Sequence, residues 1–198
     1  MILILIALNL LAFVLESVGP ASLIDRFALW PLYSTTAEAP AFHVWQLLTY
    51  SALHANLAHL AFNMLGLFMF GRDVERVLGA RRILMLYAVS VASGGVVQEI
   101  TALLMTTDAY PTIGASAGIF GVLFAYALLF PQRRVVLLFP PVPMPAWLFA
   151  TSYALFELLL GVTHESSGVA HFAHLGGMAG AIVLVEYWSR KTRCGPVD

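Results

Sequence analysis

Charge is scarce in this chain. Asp, Glu, Lys and Arg make up 11% of its 198 residues, whereas a soluble globular domain averages about 25%. Hydrophobic residues account for 60%, and the mean hydropathy is +0.85. That balance excludes an ordinary soluble domain and leaves room for a single domain of about six membrane spans. A net charge of −1 offers nothing to a polyanion, so no nucleic-acid partner is expected. Cysteine is nearly absent: Cys194 stands alone in the polar tail, which rules out an intrachain disulfide and any C-x-x-C metal site. No Lys or Arg precedes the apolar run that opens at Ile2. The run therefore lacks the basic region of a secretory signal and is expected to be a retained span. H-E-x-x-H and paired carboxylates are missing too, so neither a metal nor a cofactor is expected.

What is present is a succession of apolar segments. The expected fold is an all-α polytopic membrane protein with six transmembrane helices, over residues 2–18, 57–70, 83–106, 114–130, 146–162 and 169–188. The connection 19–54 is too long for a simple loop and too polar to span. Its Trp30, Tyr33 and Trp45 suit short helices at the membrane interface. Residues 71–82 read as a charged turn with four arginines, and 135–139 are apolar but too short to cross. Pro140, Pro141, Pro143 and Pro145 exclude a helix until about Ala146.

Charge sets the expected topology. Nine of the ten Lys and Arg residues follow the second, fourth and sixth segments, and only Arg26 lies on the other side. The positive-inside rule puts those turns and both termini in the cytoplasm. Ser116 lies 17 residues before Arg133, and His174 lies 16 before Arg190. Both therefore fall about 25 Å above the cytoplasmic anchors, near the outer face, and His59 and Asn63 fall at about 25 and 20 Å. Four polar side chains from three helices share one layer, and polar groups inside a membrane are expensive enough to suggest function. Small residues at Gly114 and Gly118, Ala117 and Gly121, Gly176 and Gly180, and Gly177 and Ala181 make flat faces. Such faces would let the fourth and sixth segments approach until Ser116 meets His174. Phe120, one turn below Ser116, is placed to floor the imidazole.

Three motifs carry a family comparison: His54-Ala55-Asn56-Leu57-Ala58-His59-Leu60-Ala61-Phe62-Asn63, Gly114-Ala115-Ser116, and Ala173-His174-Leu175-Gly176-Gly177. Together and in this order they resemble the second-helix, nucleophile and last-core-helix motifs of the rhomboid intramembrane serine proteases. Glu75 and Gly79 match that family's E-x-x-x-G turn. The resemblance covers about Trp45 to Ala181. Three positions depart from it: Gln46 stands where the family often has arginine, Ala117 where glycine commonly follows the nucleophile, and Val77 where many members have another arginine.

The resemblance implies Ser116 as nucleophile and His174 as general base, a dyad without an aspartate. It implies an oxyanion hole formed by the Ser116 N–H and the side chains of His59 and Asn63. The expected function is an intramembrane serine endopeptidase acting on transmembrane or juxtamembrane segments of membrane proteins. Its partners would be those substrates and the lipid bilayer. The expected location is the bacterial inner (cell) membrane, with the active site opening outward. Segment five, with Trp147, Phe149, Tyr153 and Phe156, is the expected lateral gate.

The sequence leaves other functions open. A catalytically inactive rhomboid-like protein that binds membrane proteins or serves their quality control is the alternative, although such members typically lose the serine or the histidine. Gly114 to Gly118 formally match G-x-S-x-G, and Glu157 or Glu165 before His174 gives the acid–histidine order of an α/β-hydrolase. That motif needs a strand before the serine and a parallel sheet beneath it, and the pattern of spans offers neither. Nothing in the order of segments suggests the inverted repeats of a transporter. His54 reads as a structural brace, and His171, one turn before His174, as an alternative base. Glu157 and Glu99 either line a water cavity or reach the interface as helix-end carboxylates. His43, His164 and Glu165 read as solvated loop residues.

Overall fold

No described helix contains a proline, and each of the six expected spans holds one helix. The structure is a computed structural model that describes residues 1–33, 39–105, 110–136, 142–163 and 170–193. His164, Glu165 and Cys194 lie outside these residues. Six long helices occupy the six expected segments: α1 (Ile2–Val18), α4 (Leu57–Leu78), α5 (Ala80–Met105), α6 (Ser116–Leu129), α7 (Ala146–Thr163) and α8 (His171–Arg193). The long first connection carries two short helices, α2 (Ser22–Phe27) and α3 (Gln46–Thr49), with a 3-10 turn at Tyr50–Ala52. By length and composition α5 and α7 can each cross a membrane, and a third crossing results if the bent pair Gln46–Ala52 and Leu57–Leu78 counts as one. α1 and α6 are shorter apolar helices.

Two features of the connections differ from those expected of the sequence. The charged stretch after the second segment is helical: α4 runs through Gly71 to Leu78 and breaks only at Gly79, whose φ of 81° suits glycine. Asp73 pairs with Arg76 one turn on, at 2.8 Å, and with Arg133 at 2.9 Å, so charge decorates this helix end and does not terminate it. The second difference is a small antiparallel hairpin, β1 (Arg134–Val136) with β2 (Pro143–Pro145), between α6 and α7. Proline tolerates such an edge position because it needs no ladder donor there.

α6 is packed against α4, α5, α7 and α8, with α5 and α8 forming the most extensive pair beside it. Apolar side chains also cover the outside, on α1 at Leu3, Ile4, Leu8, Leu11 and Val14 and on α7 at Leu155, Leu158, Leu159 and Val162. Lipid is the solvent that accepts such a surface.

The glycines pull three helices together, not two. A Cβ on Gly177 would sit 2.1 Å from the Ala117 carbonyl oxygen, so α8 and α6 touch backbone to backbone there. Gly176 and Gly180 instead face Ser93 and Val97 of α5, and Gly118 faces Tyr87 and Val91 of α5. Gly121 receives Ser90 of α5 and the Gly177 carbonyl. The expected two-helix face is thus shared with α5. Small residues there admit neighbouring side chains as well as backbone.

Candidate active site

Each element of the site is held by a local device. Asn56 caps α4, its Oδ1 accepting from the His59 N–H at 2.9 Å, which fixes the first turn that carries His59 and Asn63. The segment leading into α6 is pinned to the first connection. Leu29 and Thr112 exchange backbone hydrogen bonds at 3.0 and 2.9 Å, and the Gly114 N–H donates to the Tyr50 carbonyl at 2.9 Å. Tyr50 is buried and donates through its hydroxyl to the Val91 carbonyl at 2.9 Å. Gly114 has φ of 122°, a conformation that favours glycine, and it leaves the chain just ahead of α6. The helix therefore begins at Ser116 and not at Gly114. At a helix start the first N–H groups lack intrahelical acceptors, so the Ser116 N–H is a donor close to the hydroxyl.

Ser116 and His174 come together: His174 Nε2 lies 2.8 Å from Ser116 Oγ. Phe120 packs against the imidazole, with ring centroids 4.4 Å apart and planes tilted by 32°. His59 approaches from the other side. A Cβ on Gly114 would lie 2.8 Å from His59 Nε2 and 3.7 Å from Ser116 Oγ, so the His59 ring and the hydroxyl flank the same glycine. Asn63 is buried, and among the described residues its side-chain Nδ2 has no hydrogen-bond partner. An unsatisfied buried donor is costly unless a ligand or reaction intermediate uses it.

His171 points elsewhere, to Glu157. Its Nδ1 lies 2.6 Å from Glu157 Oε2, and His174 Nδ1 lies 2.9 Å from the same oxygen. Glu157 is 4% exposed, so it is neither a solvated helix-end carboxylate nor free to reach the interface. Sequence reasoning sets Glu157 with His174 only as the acid–histidine order of the hydrolase motif it discards, because residues 14 and 17 apart on different helices share no local pattern. The one available signal is a carboxylate inside an apolar segment. The Glu157, His171 and His174 ligand atoms lie within 4.8 Å of one another, a set of a kind that can hold a metal ion.

The other polar residues serve the scaffold. Glu99 accepts from the Leu32 N–H at 2.6 Å, and Glu16 accepts from the His54 N–H at 3.1 Å, so both carboxylates tie down the first connection. His54 is buried in the connection ahead of α4, edge-on to His59 at 5.1 Å. Burial, and then the neighbouring His59, push its pKa down to about 4, which keeps it neutral. His43 stacks on Trp45 at 4.3 Å. Gln46, at the position of the family's frequent arginine, is fully buried. Its Oε1 accepts from Trp30 and His43 N–H groups at 3.3 and 3.2 Å, and its Nε2 donates to the Arg26 carbonyl at 3.4 Å. An amide here replaces charge with a donor and an acceptor for the loop backbone.

Fold and site together define a helical membrane protein with a serine–imidazole pair set at a helix start. The sequence matches the Rhomboid domain over residues 41–191, and the chain belongs to the rhomboid family. It is 31% identical over 145 residues to "Rhomboid protein 1, mitochondrial" of Saccharomyces cerevisiae, covering 69% of this chain and 40% of that protein. It is 31% identical over 136 residues to "Rhomboid protease GluP" of Bacillus subtilis, covering 69% of this chain and 24% of that protein. Against "Rhomboid protease AarA" of Providencia stuartii the identity is 32% over 151 residues, covering 68% of this chain and 53% of that protein. The chain thus spans between about a quarter and a half of the length of these curated relatives.

Proposed function

We propose that this chain is an intramembrane serine endopeptidase that cuts transmembrane or juxtamembrane segments of other membrane proteins. The observation that carries the reading is the 2.8 Å approach of His174 Nε2 to Ser116 Oγ at the start of α6. Ser116 Oγ attacks the scissile carbonyl carbon as its proton passes to His174 Nε2. The oxyanion takes hydrogen bonds from the Ser116 N–H, the unpartnered Asn63 amide and the His59 ring. His174 then delivers the proton to the departing amine as the C–N bond breaks. Water hydrolyses the acyl-enzyme by the same route.

In this reading residues 1–198 form one rhomboid-like domain with six spans, both termini in the cytoplasm and the site opening outward, in a bacterial inner membrane. The length of α6 supports a recessed site. Its 14 residues rise about 21 Å, short of the roughly 30 Å hydrocarbon core, so Ser116 starts below the surface. A substrate helix need then fray only at its top to expose a carbonyl. Phe149 and Tyr153 of α7 lie in a row of rings with Phe70 and Phe120, while Trp147 and Phe156 are exposed, which suits α7 as the lateral gate.

Purified protein in detergent, given a model transmembrane substrate and a fluorophosphonate, tests the reading. Wild type should cleave and be labelled. Ser116→Ala and His174→Ala should each be inactive yet folded, and the double variant no worse than either, because residues acting as a unit are non-additive. Turnover by purified Ser116→Ala ends the serine-protease reading. A folded wild type that neither cleaves nor reacts supports the inactive membrane-protein binder.

A further inference from the structure

We infer that Glu157 is a positioning residue that holds His174 in the tautomer its role as base requires, making a Ser116–His174–Glu157 relay in place of a two-residue dyad. The inference deepens the proteolytic reading and rests on it. α7 buries only Ala146, Ala150, Glu157 and Gly161 along its length, a single stripe at helical spacing. Three of these are small, so the helix comes close to α8. A Cβ on Gly161 would already lie 3.0 Å from the Phe172 ring and 3.3 Å from His171 Cβ. The fourth is a carboxylate, and it lies where the stripe meets His174.

One hydrogen-bond arrangement suits that role. With Glu157 ionised, its carboxylate only accepts, and the Nδ1 atoms of both His171 and His174 carry hydrogen and donate to Oε2. A neutral His174 with hydrogen on Nδ1 has a lone pair on Nε2, which faces Ser116 Oγ at 2.8 Å. The serine O–H is therefore the donor and the imidazole the acceptor, as attack requires. When the Ser116 proton moves to Nε2, the resulting imidazolium donates from both nitrogens, and Glu157 remains ionised throughout. Phe120 fixes the ring face, and Tyr153, 5.0 Å from Phe120, backs it from α7. His171 supplies the second donor that a buried carboxylate needs, since a buried charge is tolerated only when it is hydrogen-bonded.

The test compares wild type, Glu157→Gln and Glu157→Asp as purified full chains in detergent. A glutamine can turn its NH2 toward His174 Nδ1, favouring the opposite tautomer while preserving volume. Glu157→Gln should lose about 10²–10⁴-fold in kcat on the model substrate, with KM within a few-fold and melting temperature close to wild type. Its labelling by a fluorophosphonate should slow in parallel, and Glu157→Asp should recover part of the rate. In samples labelled with 15N-histidine, and assigned with His174→Gln, the His174 N–H should be on Nδ1 in wild type and on Nε2 in Glu157→Gln. Wild-type His174 protonated at Nε2 overturns the inference, as does an unchanged kcat per folded Glu157→Gln molecule. Activity that requires added Zn2+ and is lost to a chelator also overturns it, by assigning the three side chains to a metal. The histidine spectra of wild type report the tautomer without turnover and without a folded Glu157 variant. An inert wild type would therefore remove the protease reading and leave the tautomer decided on its own.

Discussion

The contact between Gly177 and Ala117 sets α8 backbone against α6 backbone beside the candidate site, and Gly177→Ala tests it. The added Cβ would lie 2.1 Å from the Ala117 carbonyl oxygen and 2.8 Å from its carbonyl carbon, where ordinary contact begins near 3.4 Å. Both obstructing atoms are backbone, so no side chain can turn aside. Relief requires α8 to move off α6 by roughly 1 Å, and overpacking of this kind costs about 1–3 kcal/mol. His174 is on the same rigid helix, nearly one turn before Gly177, so the shift would stretch the 2.8 Å Ser116–His174 hydrogen bond past useful length. A misplacement of about 1 Å at reacting groups can cost on the order of 10²-fold in rate. Gly180→Ala is the control. Its Cβ would meet the Ser93 hydroxyl at 2.2 Å and the Ser93 Cβ at 3.0 Å; the hydroxyl can rotate away from its bond to the Gly176 carbonyl, and the Cβ contact needs a give of only a few tenths of an ångström. The gain in helix propensity of up to about 1 kcal/mol offsets the loss. Melting temperature and kcat, measured on the same detergent samples, should fall together in Gly177→Ala and change little in Gly180→Ala. A Gly177→Ala protein with wild-type melting temperature and turnover would refute the backbone-contact argument.

Three further expectations follow from the geometry. Asn63→Ala should lower kcat by about 10²–10³ with little change in KM, because the Ser116 N–H remains as a donor. A melting temperature that drops while kcat per folded molecule holds would make Asn63 structural. Gln46→Ala strands the Trp30 and His43 N–H groups, while the Arg26 carbonyl keeps its bond from Trp45 Nε1. It should destabilise by about 1–3 kcal/mol, seen as a lower melting temperature and faster proteolysis of the first connection; equal protease resistance would deny Gln46 that docking role. In a Cys194→Ser background, Tyr110→Cys should react with an impermeant thiol reagent on intact cells, whereas labelling only after lysis would invert the proposed topology.

Much of the architecture was legible in the chain because a membrane imposes it locally. Apolar length, proline placement and the clustering of arginines depend on sequence neighbours alone, and they located six helices and the connections between them. His59 and Asn63 could be paired because they are one turn apart on a single helix, and Phe120 could be placed beneath His174 by the same arithmetic. The residues of Gly114 to Gly118 signalled a serine among small neighbours. They did not reveal that Gly114 stays outside the helix at φ 122°, since that conformation follows from pinning to Leu29 and Tyr50. The tertiary structure alone decided which helix each glycine faces, because small residues at four-residue spacing are compatible with several partners. It also carried the arginine-rich stretch through as helix, supported by Asp73 bonding across to Arg133. Above all it placed Glu157 against His171 and His174. Burying that carboxylate depends on two donors from another helix arriving at one oxygen, and such convergence exists only after α7 has docked on α8.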